Sequence, residues 1–318
     1  MISLIIDHSK AIEHYNTITN EVQKAIRKVI FNHGITALKK RPAKILEDDL
    51  KAYLQYLLRK DHLINLITAM PEDLERTIKE VITAVPSLLV STSTSSSILY
   101  YIFIDNIYLN KFDKFEFVKQ INVDTCVYCN RNYIYYLTKA EKVKPQIDHF
   151  YPKKKYPYLG MSFYNLIPSC QTCNGPECKS DLDPLSAGAR LINPHLIKNG
   201  DFKFNYGINS IDYSNSFNKD AFSVIVEKHP KKHLEVFKLE GLYNKHTDHI
   251  ADLVVKASLK YSPEYREYLK YEYRRLELTD HDINKLIVGN YTDEHELHRR
   301  PLSKLYLDIA SELNLINN

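Results

Sequence analysis

Two cysteine pairs, Cys126–Cys129 in CVYC and Cys170–Cys173 in CQTC, flank the string QIDHFYPKKKYP at residues 146–157. A C-x-x-C spacing lets one tight turn aim two thiolates at one ion. Two such turns complete a tetrahedral site of four thiolates, which suits Zn²⁺. Such a closed site leaves no open position, so its expected role is structural. The competing readings are a pair of redox dithiols, or buried thiols packed as small apolar groups. The fifth cysteine, Cys178, reads as a bystander or an alternative thiolate. Between the pairs stand Asp148 and His149, and the surrounding charge is uneven. Lys139, Lys142, Lys144, Lys153, Lys154 and Lys155 face only Glu141 and Asp148 in that stretch. Such a patch suits a polyanionic partner, although any single lysine there has a plain solvated reading as well.

Local pattern places these residues on elements. KPQIDHF alternates like a short strand ending at His149, and YNLIPSC can be its return strand. Ser169 stands where a helix N-cap would serve, ahead of CQTCN. The expected unit is strand, loop, strand and helix, closed by a zinc clamp. In NGPECKSD, Gly175–Pro176 disfavours a smooth helix, so the helix carrying Asn174 is expected to be short or kinked, with Lys179 displaced.

The order Asp148–His149, Asn165, then Asn174 directly after Cys173 resembles the HNH (ββα-metal) endonuclease family, in its zinc-clamped form. The likeness covers about residues 120–185, and DHFYPKKKYP and YNLIPSCQTCN further resemble nuclease subunits of bacterial Septu-type anti-phage systems. The resemblance implies a catalytic set of His149, Asp148, Asn165 and Asn174. His149 would be the base, since a neutral imidazole with a pKa near ~6.5 can take a proton from water. Asp148 and Asn174 would offer oxygen ligands to Mg²⁺ or Mn²⁺, which acts as a Lewis acid on the departing oxygen. Asn165 would orient the loop and the base. Lys153 and Lys179 are candidate phosphate contacts. Taken one at a time, each residue has an ordinary reading: a packed histidine, a turn asparagine or a helix-end asparagine.

The elements that must position this set are mostly helical. The sequence has 318 residues, 44% hydrophobic and 26% charged, a globular composition that excludes a disordered or fibrous chain. The net charge of +4 decides little. No run is apolar enough to span a membrane, and MISLIIDHSK is too short and interrupted by Asp7 to serve as a secretion signal. A cytoplasmic location with reduced thiols is expected. Helical spacing runs from Val22 to Leu38, over DDLKAYLQYLLRKDHLINLITAM, and over PEDLERTIKEVITAV. STSTSSS at 91–97 reads as a loop, and SILYYIFIDNIYL at 97–109 as a buried helix. DFKFNYGI and AFSVIVEK read as strands, and helical patterns then return to the end.

The fold class expected is α+β: a mostly helical protein with a central zinc-clamped ββα-metal nuclease module. Its divisions are 1–115, a helical region; 116–200, the nuclease module; and 201–318, two short strands followed by helices. The expected partner is nucleic acid, foremost double-stranded DNA. The resemblance also implies a defence role and an ATPase subunit as a further possible partner; G-x-x-x-x-G-K-[ST] does not occur in this chain, so any ATP dependence would come from elsewhere. The alternatives are the same site directed at RNA such as a tRNA, a non-catalytic zinc-ribbon nucleic-acid-binding module, and a zinc-stabilised interaction protein. His246, Asp248 and His249 read as a polar helix surface, because their spacing does not share one helical face. His298, Arg299, Arg300 and Lys304 read either as a phosphate contact or as an exposed helix start.

Overall fold

A computed structural model describes residues 1–37, 42–90, 93–138, 140–214, 218–258 and 263–316. Helix α1, Ser9–Phe31, buries Ala11, His14, Tyr15, Ile18, Val22, Ala25, Ile26 and Val29, the three-and-four spacing of one helical face. It ends earlier than its apolar periodicity predicted. His33 and Gly34 adopt positive φ, and Gly34–Ile35 pairs as β1 with β2, Lys44–Ile45. A Cβ on Gly34 would lie 2.0 Å from the Lys44 carbonyl oxygen, so only glycine closes this turn. Leu38 lies outside the described residues, as do Ser91, Thr92 and Lys139.

The long pattern beginning at Asp48 divides into α2, Asp48–Leu57, and α3, Lys60–Thr68. A 3₁₀ turn at Pro71–Asp73 leads into α4, Leu74–Ala84. The serine-rich stretch is not a loop: α5, Thr94–Tyr100, begins inside it. The Ser93 hydroxyl accepts the Ser96 N–H at 3.2 Å, so a residue type that discourages helix interiors here starts one. α5 runs on as a π-helical segment, Tyr101–Tyr108, in which Ile102, Phe103, Ile104, Ile107 and Tyr108 are buried. Its wider turns deliver Ile104 and Tyr108 to the site described below. Helix α6, Lys114–Ile121, follows, with the Asp113 carboxylate accepting the N–H groups of Phe115 and Glu116.

The central unit consists of β3, Gln146–His149, antiparallel to β4, Leu166–Ser169, and the one-turn helix α7, Gln171–Asn174. Asp148 pairs with Ile167 and His149 with Leu166. Ser169 does not cap α7, because it is still in the ladder opposite Gln146. The cap is Cys170, whose sulfur accepts the Cys173 N–H at 3.5 Å.

β5, Lys203–Ile208, and β6, Phe222–Lys228, form a third antiparallel pair. Among the described residues six α-helices follow: α8, Lys231–Phe237; α9, Leu239–Tyr243; α10, Thr247–Ser258; α11, Pro263–Glu272; α12, Asp280–Val288; and α13, Ser303–Glu312. The fold is therefore α+β and mostly helical, with three two-stranded antiparallel sheets among the described residues. One hydrophobic cluster runs from Met1 to Ile316 and includes all four paired cysteines, so the helical sections and the central unit share a core. Asn130, directly after the first cysteine pair, ties that unit to the C-terminal section. Its amide donates to the Leu297 carbonyl at 2.9 Å and accepts the Lys304 N–H at 3.0 Å. Among the described residues, no helix is long and apolar enough to cross a membrane.

Candidate active site

Cys126, Cys129, Cys170 and Cys173 are all buried, and their four sulfur atoms lie within 4.8 Å of one another. Cys129 and Cys170 have their sulfurs 4.0 Å apart, far beyond disulfide length and near the ~3.8 Å edge of a tetrahedron with Zn–S bonds of about 2.3 Å. The surrounding N–H groups suit thiolates. Arg131 N–H donates to Cys129 at 3.4 Å, and the Asn132 amide donates to Cys170 at 3.3 Å. Burial first, and then the neighbouring Cys129 and Cys170 sulfurs, push the Cys126 thiol well up, so a cation at the centre is what would stabilise four anionic sulfurs there. A buried four-cysteine group of this geometry can hold a zinc ion. Cys178 lies outside the cluster.

Asp148 and His149 occupy the end of β3 and are 3% and 6% exposed. Both oxygens of the Asp148 carboxylate are engaged. The Tyr128 hydroxyl donates to Oδ2 at 2.6 Å, and the Lys179 ammonium lies 3.1 Å from Oδ1 and 2.9 Å from Oδ2. Lys179 also donates to the His149 carbonyl at 3.0 Å. Its side chain is 0% exposed, so its ammonium meets a carboxylate rather than facing solvent as a phosphate contact.

The His149 Nε2–H donates to the Gly160 carbonyl at 3.1 Å, which leaves Nδ1 as the lone-pair nitrogen. Tyr108 packs edge-on against the ring, with centroids 4.6 Å apart. Burial first, then the positive charges of Lys153, Lys179 and Lys114, push the His149 pKa down to about 3, so the imidazole is neutral. Asn165 holds the loop between the strands. Its Oδ1 accepts the Tyr151 N–H at 2.7 Å, and its Nδ2 donates to the carbonyls of Tyr151 at 3.2 Å and Leu159 at 3.0 Å. Leu159 precedes Gly160, so these bonds fix the carbonyl that holds His149. Gly160 itself has no room to grow: a Cβ there would lie 2.2 Å from Ile104 Cδ1.

Asn174 is half-buried and donates from Nδ2 to Gln146 Oε1 at 2.9 Å. Gln146 and Asp148 are two apart on β3, which places the Asn174 amide along the strand face that carries Asp148. Among the three lysines of KKK, Lys154 pairs with Asp181 at 2.5 Å and Lys155 with Asp183 at 2.6 Å. Lys153 instead lies over the Tyr108 ring, 5.4 Å from its centroid.

The C-terminal candidates fall out differently. His246, Asp248 and His249 do converge, with donor atoms within 4.8 Å, because His246 precedes α10 and helical spacing does not govern it. But Arg131 Nε lies 3.3 Å from His246 Nε2, and the Tyr306 hydroxyl lies 2.8 Å from His249 Nδ1. A fixed positive charge and a competing hydrogen bond make this a poor cation site. Arg299 pairs with Asp124 at 3.2 Å, and Lys304 is buried against Asp308 at 2.7 Å.

With this geometry in place, comparison with known proteins finds a partial likeness. The chain is 33% identical over 75 residues to the Septu protein PtuB of Bacillus thuringiensis. That stretch is 24% of this chain and 26% of the relative, so the likeness spans about a quarter of each. No protein-family model matches the chain, and no solved structure matches it.

Several residues at the site carried no sequence signal. Tyr128 sits inside CVYC, where only the cysteines draw attention. Tyr108 and Lys114 lie in an apolar helix and the helix after it, far along the chain from His149. Gly160 could have been noticed as a glycine between the paired strands, the position where one backbone approaches another closely.

Proposed function

We propose that the chain is a metal-dependent endonuclease of the HNH type that hydrolyses phosphodiester bonds, foremost in DNA, as part of anti-phage defence. One arrangement supports this above all: Asp148–His149 closes one strand of a strand–loop–strand–helix unit, with Asn165 pinning the loop whose Gly160 carbonyl orients the His149 ring. A zinc-ribbon binding module has no use for this internal machinery. The likeness to a Septu protein favours the defence role.

In this reading His149 Nδ1 takes a proton from the attacking water. Its neutral form is assured by burial, and substrate phosphate beside Lys153 offsets part of the positive field that weakens it as a base. Asn165 is a positioning residue. Asp148 and Asn174 would hold Mg²⁺ or Mn²⁺, which supplies Lewis-acid stabilisation of the departing oxygen. The Asp148 carboxylate is not open as it stands, because Lys179 and Tyr128 occupy it. Lys179 has to withdraw before Asp148 can serve a cation, and this gives the isolated chain low activity. A partner, such as an ATPase subunit, would promote the withdrawal.

The test is cleavage of supercoiled plasmid, and separately of total tRNA, with and without Mg²⁺ or Mn²⁺. Slow, metal-dependent nicking of plasmid fits the proposal. Cleavage of tRNA alone would redirect the same site to RNA. Rapid cleavage without added metal would refute both the metal requirement and the closed state.

A further inference from the structure

Two lysines outside the ion pairs, Lys114 and Lys153, lie beside His149, and a third, Lys144, lies next to Lys114. Lys114 lies on α6, with its ammonium 4.5 Å from the Tyr108 ring centroid and donating to the Tyr108 carbonyl. Lys153 lies 5.4 Å from the centroid of the same ring. Lys144, on the approach to β3, lies 5.4 Å from the Phe115 ring, one residue along from Lys114. Among the described residues none of the three has an ion-pair partner, whereas their neighbours Lys154 and Lys155 are each tied to an aspartate. Tyr108, which Lys114 and Lys153 both contact, is itself packed on the His149 ring.

Like charges gathered without ion-pair partners repel one another, and Asp113 offsets only part of this at Lys114. Burial first, and then Lys144 and Lys153, lower the Lys114 pKa, so Lys114 lies in the field of both neighbours. The Tyr108 carbonyl and the aromatic rings hold the lysines in place, but among the described residues no ion pair offsets their repulsion. An external polyanion does, because it relieves the repulsion and releases its own counterions.

We propose that Lys114, Lys144 and Lys153 form a backbone-phosphate site that seats a nucleic-acid strand against His149, with the aromatic rings of Tyr108 and Phe115 fixing the lysine stems. This deepens the nuclease reading and rests on it for its functional meaning. It also assigns a substrate contact, Lys114, to the helical region outside the β3–β4–α7 unit. The contacts are to phosphate, so the site reads charge and geometry, not base sequence.

The experiment measures binding of a fluorescent DNA duplex, and of a hairpin RNA, to the full chain without Mg²⁺ across a salt series. Each lysine that neutralises a phosphate contributes about −0.9 to the slope of log affinity against log salt for a DNA duplex. The triple variant K114Q/K144Q/K153Q is expected to flatten that slope by about 2–3 and to weaken binding, with K154Q/K155Q as the comparison that changes it far less. The arm bound more tightly at the same salt concentration identifies the strand type. A triple variant that binds with unchanged slope and affinity overturns the proposal, as does a wild-type chain that binds neither strand. Cleavage lost in His149→Ala alongside unaltered binding by the triple variant would sink the phosphate site and spare the nuclease. Lysine-dependent binding with no cleavage under any metal would do the reverse.

Discussion

Lys179 and Asp148 form an ion pair at 2.9 Å from which solvent is excluded, with side chains 0% and 3% exposed. Breaking one partner of such a pair leaves a buried, uncompensated charge, at a cost of about 3–5 kcal/mol. Lys179→Met should therefore lower stability by about that amount in urea unfolding. Asp148→Leu combined with Lys179→Met should recover much of it, since apolar groups of similar volume replace the pair. A double variant no more stable than the single one would show that the charges are not what matters there.

Removing zinc should be far more damaging than removing any one side chain. A structural zinc binds with an apparent free energy of about 10–16 kcal/mol, and that energy is folding energy. Metal analysis should find one zinc per chain, and a strong chelator should expose the central unit to proteolysis. Cys173→Ser should lose zinc, whereas Cys178→Ser, outside the cluster, should keep it. Full zinc in Cys173→Ser would contradict the assignment of the four sulfurs.

Stability should fall in mild acid. His14 is buried, with its Nε2–H donating to the Met161 carbonyl at 2.9 Å and its ring against Phe112, Phe117 and Phe163. Burial pushes its pKa down from 6.5 to about 4. Below pH 6.5 the unfolded chain takes up a proton that the folded chain refuses, so stability is lost as pH falls from 6.5 towards 4. For His14 alone this is about 2 kcal/mol at pH 5. Thermal unfolding at pH 7.5, 6 and 5 should show the decline, and His14→Gln should make it shallower. An equal pH dependence in the variant would rule His14 out as a source.

The loop that orients His149 can be loosened without touching the chemistry. Asn165→Ala removes three hydrogen bonds to buried backbone groups and should cut cleavage while leaving zinc content unchanged. Gly160→Ala should do the same through its 2.2 Å collision with Ile104, and Ile104→Ala in the same chain should restore part of the activity. Failure of the second change to help would mean that the collision is not the cause.

Much of this site can be read from the sequence. The paired cysteines, the alternation of KPQIDHF and the turn signals around it lead to the β3–β4–α7 unit by local rules alone. Asn165 and Asn174 emerge only when the whole spacing is compared with a known family. Other features depend on tertiary contacts that local rules do not encode. Lysines are ordinarily exposed, so nothing in NGPECKSD marks Lys179 as buried beneath Asp148. The polar composition of STSTSSS hides a helix start, because one hydroxyl satisfies the first turn. The apolar period of α1 runs past its true end, because Gly34 closes against Lys44 from a distant segment. Lys114 gains its meaning only from the π-helical segment that brings Tyr108 to His149.

The most direct test is single-turnover cleavage of plasmid by excess wild-type chain in Mn²⁺, beside His149→Ala with the same zinc content. Loss of a general base costs roughly 10²–10⁴-fold in rate, so the variant should be slower by at least about 100-fold while binding DNA as before. Equal rates in the two proteins would contradict the assignment of His149 as the base and, with it, the nuclease site itself.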